Sequence, residues 1–259
     1  MLVSDNAVVL KLAAGKVPIG ALATETTHES HIELLQNAGY DFLMLDAEHG
    51  EFSPDRLASI CRVGRLVGFP VIMRTFCTYK DVRLALDLGS LGAILPMVES
   101  AEQIDTLRRA AFLPPVGERG PGGPGNRHVS DFRRETWAEL EEQMALIPMI
   151  ETPLAVENPS VFDRPWVTAC LVGPYDLAMS HGIDLADLFR PGGPHEEVIR
   201  RAIDGCERVG KPCGTVVPDG ETAARWIKMG ARLIVCGELN GMLASIARRN
   251  IEVIKEAVN

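Results

Sequence analysis

Ten consecutive residues, Asp41-Phe42-Leu43-Met44-Leu45-Asp46-Ala47-Glu48-His49-Gly50, set two carboxylates and an imidazole directly after an apolar run. Titratable groups packed this closely suit proton transfer or cation binding. His49 is the best general-base candidate, because Asp46 precedes it by three residues and can fix an imidazole tautomer and raise its basicity. Asp46 reads alternatively as a strand-end turn former, and Glu48 as a supporting carboxylate or a solvated one. Arg74 ends another apolar run, Val71-Ile72-Met73. There it pairs with a carboxylate or offers its fork to a substrate oxyanion, two compatible roles.

Further acids follow later apolar runs: Glu99, Glu151 and Asp176. Taken singly, Glu151 is explained as well by a helix macrodipole and Asp176 as a helix N-cap. Taken together they form a pair of hard oxygen ligands for Mg²⁺ or Mn²⁺, with Co²⁺ a further candidate and no organic cofactor expected. An octahedral ion held by two carboxylates keeps roughly four positions for water and substrate. Such an ion, chelated by a 2-oxo acid, acidifies the adjacent carbon and stabilises the enolate, and Arg74 adds positive charge at the same oxygen. Lysines offer the competing route through a Schiff base. Lys16 and Lys211 precede expected strands, Lys11 lies in the N-terminal segment, and Lys80, Lys228 and Lys255 fall on helices, so none is at a strand's carboxyl end. His28, His31, His128, His181 and His195 lack ligand spacing and read as ordinary.

These residues need a scaffold that converges strand ends. Short apolar runs alternate with helix-like segments from end to end, the pattern of a parallel sheet wrapped by helices. Strands are expected over Pro18–Thr24, Asp41–Asp46, Pro70–Thr75, Gly92–Val98, Ala145–Ile150, Val167–Val172, Pro212–Val217 and Arg232–Cys236. Helices are expected over Thr27–Asn37, from Ser53-Pro54, and over Tyr79–Leu88, Ala101–Ala111, Asp131–Met144, Glu196–Val209, Glu221–Met229 and Leu239–Val258. Eight strand–helix pairs point to an α/β protein, a single (β/α)8 barrel over residues 1–259, whose strand ends share one mouth. The Gly/Pro-rich stretch 113–130 is a loop, either a functional lid or a tolerated insertion.

The chain has 259 residues, 46% of them hydrophobic, and a net charge of −9. That balance, without a basic block, disfavours nucleic acid and anionic membrane surfaces as partners. The apolar stretch from Ala7 is broken by Lys11, a poor secretion signal, so a cytoplasmic location is expected. The six cysteines form no C-x-x-C pair and read as reduced thiols, most of them buried.

At these positions the chain resembles the HpcH/HpaI aldolase family, metal-dependent pyruvate aldolases with a barrel of the phosphoenolpyruvate/pyruvate type. The resemblance runs from about Pro18 to the C-terminus. It rests on Asp46-Ala47-Glu48-His49, Arg74 in Pro-Val-Ile-Met-Arg, Leu86-Asp87-Leu88-Gly89 with Pro96-Met97-Val98, Gly117-Glu118-Arg119-Gly120, Glu151 in Met-Ile-Glu-Thr, and Asp176 in Gly-Pro-Tyr-Asp-Leu. It implies aldol cleavage to pyruvate, or an analogue such as hydroxypyruvate, plus an aldehyde. His49 would be the base supported by Asp46, Arg74 would contact the enolate oxygen, and Glu151 and Asp176 would hold the metal. Backbone amides near Gly173, Pro174 and Tyr175 would hold the substrate carboxylate, with Glu48, Arg119 and Met149 around the site. Exchange of the last helix between subunits, in hexamers built as trimers of dimers, is a further expectation. Met149 stands where the family often has Gln, and Ala21-Leu22-Ala23 lacks an aromatic common there, so the aldehyde is left open. The competing readings are a lyase or thioesterase of the citrate-lyase-β or malyl-CoA type, and a non-catalytic binder of 2-oxo acids.

Overall fold

Strand residues alternate between two faces, and here the inward face changes character at each strand's end. The computed structural model describes residues 5–25, 27–126 and 133–258. In it β1 (Ile19–Ala23), β2 (Phe42–Asp46), β3 (Val71–Arg74), β4 (Gly92–Leu95), β5 (Ala145–Ile150), β6 (Cys170–Val172), β7 (Cys213–Val217) and β8 (Ile234–Glu238) close in sequence order into a barrel. Every neighbouring pair is parallel. The fold is therefore the expected (β/α)8 barrel.

The barrel interior is a buried apolar cluster that includes Phe42, Met44, Ile72, Ile94, Ala145, Ile147, Met149, Leu171, Leu233 and Val235. Continuing the alternation places Asp46 above Met44, Arg74 above Ile72 and Glu151 above Met149. The charged groups thus sit on top of a dry core. Below it, α1 (Ala7–Ala13) plugs the opposite end with Val8, which is fully buried. Asn6 fixes that plug by donating its side-chain amide to the carbonyls of Leu91 and Gln143 at 2.9 and 2.8 Å. This helix was not anticipated.

The outer ring comprises α2 (Ser30–Asn37), α3 (Pro54–Val67), α4 (Tyr79–Leu88), α5 (Ala101–Ala111), α6 (Arg134–Glu142), α7 (Pro153–Glu157), α8 (Pro174–Ser180), α9 (Pro194–Arg208), α10 (Gly220–Lys228) and α11 (Leu239–Val258). Ser53 caps α3, with Pro54 in its first turn, as their types predict. The predicted helix from Asp131 begins at Arg134, and residues 131 and 132, like His128, lie outside the described residues. β8 starts two residues later than expected and runs on to Glu238, which carries that acid to the mouth. No helix among the described residues is long and apolar enough to cross a membrane. All six cysteines are free, four of them buried.

Candidate active site

β2 and β3 run in register with Asp46 opposite Arg74. Asp46 is fully buried. Its carboxylate takes the guanidinium as a fork, Nε donating to Oδ1 at 3.0 Å and Nη2 to Oδ2. Oδ1 also accepts the backbone N–H groups of Glu48 and His49 at 3.1 and 3.2 Å. Asp46 therefore shapes the turn and holds Arg74. Both sequence roles considered for Arg74 begin with this pair, since a fixed guanidinium is what an oxyanion requires.

The expected support of the His49 ring by Asp46 is corrected. Asp46 contacts the backbone of His49, and the carboxylate near its ring is that of Glu48, with Nε2 3.6 Å from Oε2. The ring itself is 64% exposed. Glu48 Oε2 lies 3.4 Å from Arg74 Nε and has no hydrogen-bond partner. Burial pushes the Glu48 carboxyl up, against the pull of Arg74 and His49, and the charges of Asp46 and Asp176 push it further. Glu48 is thus largely withdrawn from solvent, between the His49 ring and the Arg74 guanidinium.

Glu151 follows β5 and is buried. The helix-start role weighed for it belongs to Thr152, whose hydroxyl accepts the Ala155 N–H at 3.3 Å, with Pro153 behind it. Glu151 is thereby free for other work. Its Oε2 accepts the Met97 N–H at 2.7 Å, and its own carbonyl accepts Ser180 Oγ at 2.8 Å. Met97 meets it from a left-handed conformation, φ 53°, which a non-glycine residue adopts at a cost. Opposite lies Gly173, where a Cβ would run into Oε1 of Glu151, so only glycine leaves the carboxylate room. Burial pushes the Glu151 carboxyl up to about 7; the Met97 N–H and Arg74 lower it, whereas the charges of Asp176 and Glu48 raise it.

Asp176 lies in the first turn of α8 but does not cap it, since Gly173 occupies that position. It is exposed. The Gly173 amide, expected to face a substrate, donates instead to the Ile150 carbonyl at 3.2 Å, and Pro174 has no N–H. The amides of Tyr175 and Asp176 precede the first intrahelical bond, Leu177 N–H to Gly173 O at 3.0 Å. Below α8, His195 is fully buried and bonds the Pro174 carbonyl through Nε2 at 2.9 Å, so it supports this turn as a hydrogen-bonded core histidine.

Arg119 is elsewhere. Its guanidinium bonds Asp87 and Asn126 at 3.3 and 3.1 Å, beside Ser90, Leu91 and Met144, which precede β4 and β5. That is the amino end of the strands, opposite the acids. The backbone N–H of Glu99 is accepted by Gln103 Oε1 at 2.8 Å, at the start of α5. Met149 is buried in the barrel layer beneath Glu151.

The donor set bears on a metal. A buried carboxyl that resists ionisation, near two more acids and one arginine already engaged by Asp46, lacks positive charge. Oxygen donors without thiolate or imidazole suit a hard divalent ion. Among the described residues no group of three or more His, Cys, Asp or Glu side chains encloses a metal. A two-carboxylate grip, with other positions left for water and substrate, is compatible with that.

A sequence profile described as HpcH/HpaI aldolase/citrate lyase matches residues 70–243. A hydroxypyruvate/pyruvate aldolase of Delftia acidovorans is 32% identical over 228 residues, covering 85% of this chain and 81% of its own length. A 4-hydroxy-2-oxo-heptane-1,7-dioate aldolase of Escherichia coli is 29% identical, covering 94% and 92%. The crystal structure of an HpcH/HpaI aldolase from Desulfitobacterium hafniense superposes with a TM-score of 0.86 at 25% identity, covering 95% and 96%.

Proposed function

This chain belongs to the HpcH/HpaI aldolase/citrate lyase family and is a carbon–carbon lyase, and we propose that Glu151 and Asp176 hold the divalent metal with which it joins or splits a pyruvate unit and an aldehyde. Mg²⁺ and Mn²⁺ fit the oxygen donors best, and Co²⁺ is next. When bound, the cation supplies the charge that acidifies the carbon beside the keto group. The observation that carries this reading is the buried Glu151, seated over Gly173 with its carboxyl pushed up to about 7.

The remaining roles belong to this chain's own side chains. Arg74, oriented by Asp46, stabilises the oxygen on which enolate charge develops. His49 moves the proton at C3 of the oxo acid, directly or through water, with Glu48 beside its ring. A positioned base contributes typically ~10²–10⁴-fold. The amides of Tyr175 and Asp176 bind the oxo-acid carboxylate, with Gly173 and Pro174 shaping that turn. Pyruvate and hydroxypyruvate both fit this scheme, since they differ only beyond the chelating atoms.

The same reading makes the chain a cytoplasmic homo-oligomer, in keeping with its free thiols. No residue of α11 is buried, and its apolar stripe suits exchange with a second copy, in a hexamer of three such dimers. The test of function is deuterium exchange at C3 of pyruvate, followed by proton NMR with and without EDTA. Exchange that requires metal and disappears in His49→Ala is expected. Full exchange in EDTA overturns the role of the metal, and full exchange in the variant removes His49 as the base.

A further inference from the structure

The acids occupy one side of the mouth, and a cavity of about 880 Å³ opens on the other, at the ends of β1, β7 and β8. Its walls include Leu22, Tyr175, Phe189, Val216, Pro218 and Ile246, and Glu238 is the one charged side chain among the described lining residues. Tyr175 joins the two halves, because it lines the cavity and directly precedes Asp176.

Phe189 is held in place by more than packing. It has φ 62°, a left-handed conformation that a bulky side chain adopts only when its surroundings dictate it. Its N–H points to Nδ1 of His195 at 3.5 Å, and its carbonyl accepts Nη2 of Arg225 at 2.6 Å. Arg225 lies 3.6 Å from Glu196. The ring stands edge-on to Tyr175 and to His195, with centroids 6.5 and 5.8 Å away. Because His195 also bonds the Pro174 carbonyl, one buried imidazole ties this aromatic wall to the turn that carries Asp176.

An aldol addition forms the bond between the enolate carbon and the aldehyde carbon, and the aldehyde oxygen takes up a proton equivalent to the one that the enolate carbon lost. The aldehyde's tail must extend from that point. The dioate named for the Escherichia coli relative would release, on cleavage beside its hydroxyl, an aldehyde ending in a carboxylate. Burying such a group without a cation is costly, and Glu238 would repel it. Glu238 is itself fixed, accepting Thr24 Oγ1 at 3.1 Å and the Gly241 N–H at 2.7 Å. We propose that this cavity takes the uncharged hydrocarbon tail of the aldehyde and that Phe189 is the residue that determines this specificity. The proposal rests on the aldolase reading above.

The test uses the metal-loaded full chain with pyruvate and straight-chain aldehydes from propanal to hexanal. It adds succinic semialdehyde and its uncharged isostere 4-methylpentanal. Expected are a rise in kcat/KM of roughly fourfold per methylene and a preference for 4-methylpentanal over succinic semialdehyde of about tenfold or more. Phe189→Ala should flatten the chain-length series to less than about twofold per step, and Glu238→Gln should narrow the discrimination against the carboxylate. Pyruvate exchange, which needs no aldehyde, separates the two levels. Normal exchange with a flat series, as when the terminal helix of a second copy fills the cavity, or with succinic semialdehyde preferred, overturns the tail assignment alone. Absence of both exchange and turnover overturns the aldolase reading and this inference with it.

Discussion

Asp46 and Arg74 face each other across adjacent strands, and the buried carboxylate is gripped by two nitrogens of one guanidinium. A buried charge with a fixed partner is a strong positional constraint, because removing either side strands the other. Arg74→Lys keeps the charge but cannot present the fork. The expected outcome is a loss of about 10²-fold in kcat with metal affinity unchanged, read by steady-state kinetics and calorimetric metal titration. Arg74→Met should lower stability by about 3–5 kcal/mol, seen in urea unfolding, since Asp46 is left buried and unpaired. A Lys variant as active as the parent would show that the fork is dispensable.

Glu151 links the site to stability through pH. Its carboxyl stands at about 7 in the folded protein against 4.5 as its ordinary value, so the fold holds a proton that the unfolded chain releases. Stability contributed by that proton is complete below about pH 4.5 and is lost as pH rises toward 7. The loss for the metal-free protein is about 3 kcal/mol. Glu151→Gln removes the titration. Metal-free melting should therefore find the variant more stable than the parent at pH 8, with the gap closing toward pH 5. Added Mn²⁺ should raise the parent's Tm at pH 8 more than the variant's. An equal gap at both pH values would contradict the assignment.

Gly173 is tested by the smallest change. A methyl group there meets the Glu151 carboxylate, yet the position lies outside the apolar layers. Gly173→Ala should fold, keep its far-ultraviolet circular dichroism, and lose at least about tenfold in metal affinity. An unchanged metal isotherm would show that Glu151 can move aside without consequence.

The strand ends were legible because each apolar run breaks off in a charged residue, and a barrel brings such breaks together whatever their separation in sequence. Which side chains then pair was not legible. Asp46 lies near His49 along the chain, yet Arg74, from another strand, takes its carboxylate, and Glu48 is left beside the imidazole. Arg119 was misplaced for a topological reason. A segment joining a helix to the next strand returns to the amino ends, and Arg119, soon after α5, is held there by Asp87 and Asn126. Glu238 was missed because Gly237 interrupts the apolar pattern, which ended the expected strand at Cys236. Phe189 and His195 gave no periodic signal, since their roles come from loop packing and a left-handed backbone.

The last helix poses the remaining question, since α11 is twenty residues long and none of them is buried. Leu243, Ile246, Ile251, Ile254 and Val258 are exposed, and at 100° per residue they fall within roughly half the helix circumference. A stripe of that length gains little from its own barrel, and one that faces water alone invites association. Leu243 and Ile254 lie near its centre, on turns far apart along the axis. The Leu243→Asp, Ile254→Asp double variant should sediment as a smaller species than the parent while keeping barrel circular dichroism. Its Tm should also lose the dependence on protein concentration that an obligate oligomer shows. Identical sedimentation of the two proteins at micromolar concentration would mean that this helix does not hold subunits together.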